Sequence, residues 1–374
     1  MARSPIRSLA LAALVATSTI GAAHAGGLEA NGYNWDLLFD PGTYVGKGTV
    51  TQVTINHDIT APGLGTISTS PARTYYNVAA KADLFGASSC LVSVQNPFGS
   101  GTDRDAAYAR TSRQALSERI WSNDVGLTCA YGFDVGSGVF SVIGGISAQQ
   151  LNYDATIARP APLPVGNELV TLSGSGTGWR AGIAYEVPEI ALRVSAIYNA
   201  AIDYNLTGRA YGSLLPQAAA NANATTPQSI EIKAQSGIAP GWLALGSVKW
   251  VDWSVLNTLT VNNAVAPITT VLNYEDGWTV SAGVGHQLTD ELTVLGSLTW
   301  DKGTSRKNAN GVLLNGTQTD RWGASLGAAY KPSANFELSG GVSYSLIGAG
   351  SNLQNESWNT GSVLAFSVSA KATF

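Results

Sequence analysis

Long stretches of this chain alternate between apolar and small or polar residues with a period of two. Near the C-terminus, the apolar positions are Leu364, Phe366, Val368, Ala370 and Ala372, and alanine, serine, lysine and threonine stand between them. Because successive side chains of a β-strand point to opposite faces, this period predicts strands with one apolar face. The same alternation returns at residues 179–185, 292–300, 322–330 and 336–346. The chain is therefore predicted to be an all-β protein.

The apolar face indicates what surrounds these strands. Only 12% of the residues are charged, about half of the roughly 25% found in ordinary globular domains. A soluble β-sandwich would also alternate, but it would carry its charges on the outward face. Aromatic residues cluster at the strand ends, as in the interfacial girdles of membrane barrels; they are Trp179, Tyr185, Trp242, Trp250, Trp322 and Tyr330. The pattern favours a transmembrane antiparallel β-barrel.

The spacing of the turns predicts the number of strands. Longer loops are expected at residues 58–72, 98–117, 158–168, 206–226, 259–271, 303–318 and 349–358, with short turns between them. Bacterial barrels have short periplasmic turns and long outer loops. Seven long loops imply about 14 strands with both ends of the chain at the periplasmic side. The aromatic C-terminus, Phe374, is typical of chains that are assembled into an outer membrane.

Residues 1–25 have the features of a secretory signal peptide. Arg3 and Arg7 form a positive start, Leu9 to Ile20 are mainly apolar, and Ala23-His24-Ala25 is a small-x-small cleavage site. The alternative is an N-terminal membrane anchor, for which the apolar stretch is short. We expect the outer membrane of a Gram-negative bacterium as the location, with a multi-pass barrel over residues 43–374.

The residues that enzymes and metal sites need are scarce. The chain has two cysteines and three histidines, and neither a metal-ligand cluster nor a nucleophile with its base is visible in the sequence. We therefore predict no catalytic residue, no metal, no cofactor and no nucleic-acid partner. Cys90 and Cys129 leave two alternatives open: a single disulfide between neighbouring strands, or two small residues of the wall.

Several segments resemble one family of outer-membrane proteins. Its motifs are matched, in order along the chain, by Gly178–Glu186, Pro227–Ser229, Trp250–Ser254, Tyr274–Trp278 and Asp320–Tyr330. The chain resembles the long-chain fatty acid and hydrocarbon transporters of the FadL/TodX type. The resemblance implies a barrel of about 14 strands, closed inside by a short N-terminal hatch.

Residues 26–42 precede the first strand and occupy the position of the family's hatch. Their large apolar side chains would be costly to expose. By the resemblance they would line a ligand site or the hatch itself; they are Leu28, Tyr33, Trp35, Leu37, Leu38 and Phe39. This segment is shorter than the hatches typical of the family and lacks their Asn-Pro-Ala turn.

A second resemblance concerns a kink in the third strand, through which the family releases ligand sideways. The corresponding residues here are Asn96, Pro97, Phe98 and Gly99. Proline removes a hydrogen-bond donor from the sheet and glycine weakens a strand, so a break in pairing is expected. The alternative is that the strand ends there and continues as an outer loop.

The ligand remains open between two classes. Strand parity predicts that Arg180, Arg193, Lys233 and Lys249 point into the lumen, where Glu186, Glu231 and Asp252 are possible partners. The basic residues expected of fatty-acid-binding members have no clear counterpart, since Gln149, Gln150, Thr269 and Thr270 stand near their positions. Fatty acids and neutral hydrocarbons are both expected ligands. We expect a monomer whose partners are this ligand and the lipids of the outer membrane.

Two other functions are compatible with a barrel of this kind. A general diffusion porin for small polar solutes would have an open, water-filled lumen. A structural or adhesive barrel would depend on the surface of its outer loops.

Overall fold

The computed structural model describes residues 26–112, 115–158, 166–212, 215–262 and 267–374. The predicted signal peptide, residues 1–25, lies outside the described residues, as does most of the predicted loop 158–168.

The described residues form one large antiparallel sheet. Its first 12 strands are β1 (Tyr44–Asn56), β2 (Ile59–Ala61), β3 (Gly65–Thr69), β4 (Arg73–Asp83), β5 (Ser88–Gln95), β6 (Gly99–Arg104), β7 (Ala115–Val135), β8 (Gly138–Ala158), β9 (Asn167–Val187), β10 (Leu192–Asn199), β11 (Ile202–Gly212) and β12 (Leu215–Thr226). The remaining strands are β13 (Ser229–Ala239), β14 (Trp242–Val251), β15 (Thr258–Asn262), β16 (Ile268–Val271), β17 (Gly277–Gln287), β18 (Leu292–Asp301), β19 (Arg321–Ser333), β20 (Phe336–Ile347), β21 (Gly350–Ser351), β22 (Ser357–Trp358) and β23 (Gly361–Thr373).

The sheet closes on itself because its first and last strands pair. Val50 of β1 lies opposite Val368 of β23 on one side and opposite Tyr76 of β4 on the other. The result is a closed antiparallel barrel of 14 strands, some of them built from two shorter strands in line. The predicted fold class is confirmed.

Residues on the two faces of the wall differ as the sequence period predicts. Val50, Leu326 and Val368 stand exposed on the outside, where Val368 keeps 66% of its surface. Thr51 and Ser367 are buried inside and share a hydrogen bond of 2.8 Å between their hydroxyls. An apolar exterior and a polar interior are the arrangement that hydrocarbon around a barrel requires.

One side of the barrel is taller than the rest. β7, β8 and β9 have 21 residues each, about twice what is needed to cross a bilayer. β11 and β12 pair with each other and extend this tall wall, so the prediction of a loop at 206–226 is wrong. β11 and β12 share an apolar cluster with β8, β9 and β15, and this cluster buries one face of the additional strands; it includes Leu151, Val170, Leu172, Tyr204, Leu206 and Val261.

Helical structure is sparse in the described part of the chain. It comprises α1 (Ala106–Ser112) and 3₁₀ turns at Asp36–Phe39, Pro188–Ile190 and Trp253–Val255. Among the described residues, no helix has the length and apolar character needed to cross a membrane.

The two cysteines are joined. Cys90 of β5 lies directly opposite Cys129 of β7, and the two form a disulfide. The open question from the sequence is answered in favour of a cross-strand bond that ties these two neighbouring strands together.

Candidate functional site

Residues 26–42, which we call the hatch, lie inside the barrel. Tyr33, Trp35, Leu37 and Leu38 are buried, and Trp35 keeps only 1% of its surface. They pack in one cluster with inward residues from several strands between β1 and β14, including Val45, Ala79, Leu91, Ile143, Ile197 and Val251. Leu28 and Phe39 are partly buried against the same cluster. The six side chains thus occupy the lumen, while a role in binding ligand stays a prediction.

Ion pairs attach the hatch to three strands of the wall. Its ionisable side chains that carry charge at neutral pH are all acidic: Glu29, Asp36 and Asp40. Glu29 pairs with Lys249 of β14, Asp36 with Lys233 of β13 at 3.1 Å, and Asp40 with Lys371 of β23 at 3.0 Å. Losing one partner of a buried pair leaves an uncompensated charge, which makes each pair costly to break. The hatch is therefore held at several points around the barrel.

The Asp36 carboxyl illustrates the balance of forces in these pairs. Burial alone raises its pKa, but the charges of Lys233, Arg193 and Lys47 outweigh burial, and the pKa lies below its ordinary value of 3.8. Asp36 is therefore ionised at neutral pH and bound to the wall as a carboxylate.

The four predicted lumen cations all reach the hatch or a neighbouring acid. Arg180, Arg193 and Lys233 lie over the rings of Tyr33, Phe39 and Trp35 at 5.1, 4.6 and 5.2 Å. Such contacts are favourable cation–π interactions. Arg180 also lies 3.8 Å from Asp124. The acidic partners differ in part from those expected, because Lys249 pairs with Glu29 whereas Asp252 accepts hydrogen bonds from Gln228 and Ser254.

The wall is interrupted where the sequence predicts a break. β5 ends at Gln95 and β6 begins at Gly99, and both pair with β7, where Gln95 faces Asp124 and Gly99 faces Trp121. Residues 96–98 therefore stand opposite only two residues of β7, Ser122 and Asn123. Phe98 remains tied to β7, since its N–H donates to Ser122 Oγ at 3.0 Å and its carbonyl accepts from the Ser122 N–H at 3.0 Å. The break thus lies on the other side, toward β4.

On the β4 side, hydrogen bonds from side chains replace the backbone hydrogen bonds of the strand ladder. The pairing of β4 with β5 ends at Asn77 and Gln95, and β6 does not continue it. The Tyr76 N–H donates instead to Asn96 Oδ1 at 3.1 Å, and Arg73 Nη2 donates to the Gly101 carbonyl at 2.6 Å. A wall closed by side chains can open without breaking a strand ladder. The assignment of residues 96–99 as a lateral exit remains a prediction.

The hatch covers the inner side of this break. The N–H groups of Ala30 and Gly32 donate to the Pro97 carbonyl at 3.0 and 3.2 Å, and the Gly99 N–H donates to the Leu28 carbonyl at 2.9 Å. The Phe98 ring points inward, edge-on to Tyr33 at 5.9 Å and to Trp253 at 6.0 Å. The hatch and the break, which the family resemblance gives as two separate parts, are thus joined by backbone hydrogen bonds.

A buried polar network behind the hatch was not predicted. Gln149 Nε2 donates to Tyr33 Oη at 3.0 Å and to Asp124 at 3.2 Å, while Tyr204 donates to Gln149 Oε1 at 2.6 Å. Gln95 Oε1 accepts from the Asn34 N–H at 3.0 Å. The signal in the sequence was a polar residue at an inward position of each of three neighbouring strands. This network holds the hatch beside the break through polar contacts.

A cavity of about 360 Å³ lies on the outer side of the hatch. Leu28 lines it, together with residues of β6, β7, β8, β15 and β16 and of the loops around 315–318 and 352–356. Its apolar lining includes Ile59, Ile120, Ile157, Leu259 and Leu272, and its charged lining is Arg104, Glu118 and Glu356. Thr269 and Thr270, noted in the sequence, line it as well. The cavity reaches the hatch next to the break.

Among the described residues, no three histidine, cysteine, aspartate or glutamate side chains gather as metal ligands.

A closed barrel with an apolar exterior, a filled lumen and an outer cavity defines a class, the outer-membrane transport barrels. Residues 72–374 match the family described as outer membrane protein transport protein (OMPP1/FadL/TodX), and the chain belongs to that family. The chain is an outer-membrane β-barrel, and its family is one of hydrophobic-compound transporters. The family members and structural neighbours are transporter channels rather than enzymes.

Individual relatives agree with this placement. Outer membrane protein P1 of Haemophilus influenzae is 26% identical over 176 residues, which are 45% of this chain and 38% of that protein's length. A Pseudomonas aeruginosa FadL homologue has a TM-score of 0.76 at 16% identity, over 96% of this chain and 98% of the other. The P. putida toluene transporter TodX has a TM-score of 0.67 at 13% identity, over 91% and 92%. At such identities the structural likeness concerns the fold alone.

Proposed function

We propose that the protein takes up long-chain fatty acids or other hydrophobic small molecules and releases them sideways through its wall. Ligand would enter the outer cavity, pass Leu28 and leave between β4 and β6. The observation that carries this proposal is the break at residues 96–98, where side chains replace the ladder and the hatch covers the opening.

A lateral route avoids the free-energy cost of transferring an apolar ligand into water. Each CH₂ group transferred from an apolar phase into water costs about 0.8 kcal/mol, so a long chain gains much by avoiding the aqueous periplasm. A closed barrel forbids a side exit, because unpaired backbone groups in hydrocarbon are expensive. Pro97 has no N–H to leave unpaired, and Gly99 has no side chain to obstruct the gap. Both lower the cost of an opening at this place.

In this proposal, the hatch couples binding of ligand in the outer cavity to opening of the break. Leu28 lines the outer cavity, and its carbonyl accepts the Gly99 N–H on the edge of the break. A ligand that displaces Leu28 from the cavity would pull on the same contacts that cover the opening. Residues 28–32 make the contacts to Pro97 and Gly99, so a shift of this segment would release them while the ion pairs of Asp36 and Asp40 persist. The same shift would strain the pair of Glu29 with Lys249.

A filled lumen disfavours the alternative of a general diffusion porin. An aqueous path through the barrel would have to pass Trp35, Leu37 and Leu38, which are buried among inward wall residues. The apolar surface of these side chains opposes the passage of polar solutes while the hatch is in place.

The test is to fill the break. A Cβ atom at Gly99 would lie 2.9 Å from the Tyr75 ring and 3.4 Å from the Ala30 Cβ, so a larger side chain occupies the space between wall and hatch. The double variant Pro97→Thr with Gly99→Val should reduce cellular uptake of a labelled fatty acid or hydrocarbon toward that of cells lacking the protein. Heat-modifiable migration in gels would verify that its barrel folds.

The matched control places the same kind of substitution elsewhere in the wall. At Gly340 of β20, a Cβ would meet only the Ser367 carbonyl at an ordinary 3.6 Å, and Gly340→Val should leave uptake intact. Normal uptake by the folded double variant would contradict lateral release at this break.

A further inference from the structure

The outer cavity combines an apolar wall with an unusual balance of charge. Apolar side chains from the hatch, β2, β7, β8, β15 and the segment after β16 line one part of it: Leu28, Ile59, Ile120, Ile157, Leu259 and Leu272. A space of about 360 Å³ with such a lining suits an alkyl chain or an alkylated ring. The three charged side chains of the lining then decide which head group can accompany it.

Arg104 is the one cation among the described residues that line the cavity, and its charge is already compensated. Its guanidinium lies 3.8 Å from Glu118, and its Nη1 donates to the Ala115 carbonyl at 3.0 Å. Glu118 is held in turn by Tyr153, whose hydroxyl donates to it at 2.8 Å. The pair leaves little positive potential for an anionic ligand.

Glu356 adds a second negative charge. It is 8% exposed, accepts a hydrogen bond from the Tyr108 hydroxyl, and accepts another from Asn352 Nδ2 at 2.6 Å. Arg321 stands behind the lining residue Gln318, to which it donates at 2.8 Å, and it lies opposite Asp301 in the sheet. Counted over the described residues, the lining therefore carries two carboxylates against one guanidinium.

Such a lining repels a carboxylate ligand but can still hold a hydroxyl group. An ionised carboxylate offers about four acceptor positions on its two oxygens, and the contacts above use only part of them. A hydroxyl can donate to one of these oxygens without bringing a charge into the cavity. A bare hydrocarbon would fill the apolar part and leave this acceptor capacity unused.

We infer that the outer cavity selects neutral amphiphiles that carry a hydroxyl group, such as long-chain alcohols or alkylphenols, over the corresponding carboxylates. This inference rests on the proposed function, because it takes the cavity as the place where the transported ligand is first bound. The selectivity follows from the Arg104–Glu118 pair together with Glu356.

The experiment compares three ligands with one chain length: decanol, decanoate and decane. Saturable binding of each labelled compound to the full-length mature barrel in lipid nanodiscs is measured at pH 8 by equilibrium dialysis, with empty nanodiscs subtracted. One uncompensated charge near the head group changes affinity by about tenfold. Decanol should accordingly bind about tenfold more tightly than decanoate, and more tightly than decane.

A single substitution should reverse part of this preference. Glu118→Gln keeps an oxygen for Tyr153 but frees the charge of Arg104, so decanoate affinity should rise by about tenfold while decanol changes little. Glu275→Gln is the matched control, since Glu275 pairs with Lys302 at 3.2 Å and does not line the cavity. The control should keep the preference of the unsubstituted protein.

Several results would overturn the inference. Decanoate binding as tight as decanol, decane binding as tight as decanol, or an unchanged preference in Glu118→Gln would each do so. Absence of saturable binding for all three ligands would remove both the inference and the capture step of the proposed function. Selective decanol binding combined with normal uptake by the Pro97→Thr, Gly99→Val variant would instead support the inference and contradict lateral release.

Discussion

The Ala30 N–H donates a hydrogen bond to the Pro97 carbonyl over 3.0 Å, which joins the hatch to the interrupted strand of the wall. This contact links residues that are far apart in sequence. By the family resemblance, Ala30 belongs to the hatch and Pro97 to the kinked strand. The carbonyl of Pro97 lies in the break between β5 and β6, where a sheet partner on the β4 side is lacking. The hatch therefore supplies backbone donors at the place where the barrel has lost them.

Removal of the hatch should open the barrel. Deleting residues Leu28 to Phe39 removes the aromatic and aliphatic side chains that fill the lumen, while the strands of the wall keep their pairing. Single-channel conductance in planar bilayers is expected to become larger and steady. Heat-modifiable migration serves as the control for folding. An unchanged conductance in a folded barrel would show that another part of the chain blocks the lumen.

The ion pair between Asp36 of the hatch and Lys233 of the wall should weaken at low pH. Because the pKa of Asp36 is lowered in the folded protein, its ion pair contributes stability above the pKa of the free carboxyl, near 4, and loses it as the pH falls through the folded value. Protease cleavage within the hatch is expected to accelerate below about pH 4.

Lys233 offers a direct test of the same pair. Lys233→Met keeps the length of the side chain but leaves Asp36 without its 3.1 Å partner. Removing one partner of a fully buried pair costs about 3–5 kcal/mol. Because Arg193 and Lys47 still stabilise the Asp36 carboxylate and the Lys233 side chain is 26% exposed, we expect a smaller loss here, seen as faster hatch cleavage at neutral pH. Lys331→Met, at a partly exposed position of β19, serves as control. Equal cleavage rates for Lys233→Met and the control would show that the pair does not hold the hatch.

The strands of the barrel wall could be predicted from the sequence alone. The period of two in segments such as 322–330 and 364–374 depends only on which face of a strand meets lipid, and this is a local property. The burial of Trp35 and Leu38 could be anticipated for a similar reason, since large apolar side chains need a place away from water. These features do not require knowledge of distant contacts.

Other features depended on contacts between distant residues. Glu186, Glu231 and Asp252 were the possible partners of the lumen cations, but Lys249 binds Glu29 of the hatch, and a strand sequence alone cannot tell which lumen residue arrives opposite. Residues 206–226 look like a loop because alanine and asparagine are poor strand formers. They form strands because they pair with the tall edge of β9 and with each other.

The Cys90–Cys129 disulfide should stabilise the barrel. The two cysteines are 39 residues apart, and closing a loop of this size stabilises a protein by about 2–4 kcal/mol, chiefly by restricting the unfolded chain. The variant Cys90→Ala with Cys129→Ala is expected to lower the free energy of unfolding in guanidinium by that amount. Reduction of the unsubstituted protein should reproduce the shift, and reductant should leave the double variant unaffected. Equal unfolding midpoints for oxidised and reduced protein would contradict this role.

Asn96 should be the residue that keeps the break closed. Its Oδ1 accepts the Tyr76 N–H at 3.1 Å, and its Nδ2 donates to the Ser122 carbonyl at 3.1 Å and to Asn123 Oδ1 at 2.9 Å. Asn96→Ala leaves the Tyr76 amide without its acceptor at the level of the membrane, at a cost of about 1–3 kcal/mol. Hydrogen exchange at the Tyr76 amide should then accelerate by about tenfold or more.

Asn123→Ala provides the comparison for Asn96. This substitution removes the 2.9 Å contact to Asn96 and the 3.2 Å contact to the Tyr76 hydroxyl, but leaves the bond to the Tyr76 N–H in place. Exchange at the Tyr76 amide should therefore change little. If Asn123→Ala accelerates exchange as much as Asn96→Ala, the outer polar contacts rather than the Asn96 acceptor keep β4 and β6 together. If neither variant accelerates exchange, the opening is held by the hatch alone, because its contacts to Pro97 and Gly99 are untouched by both substitutions.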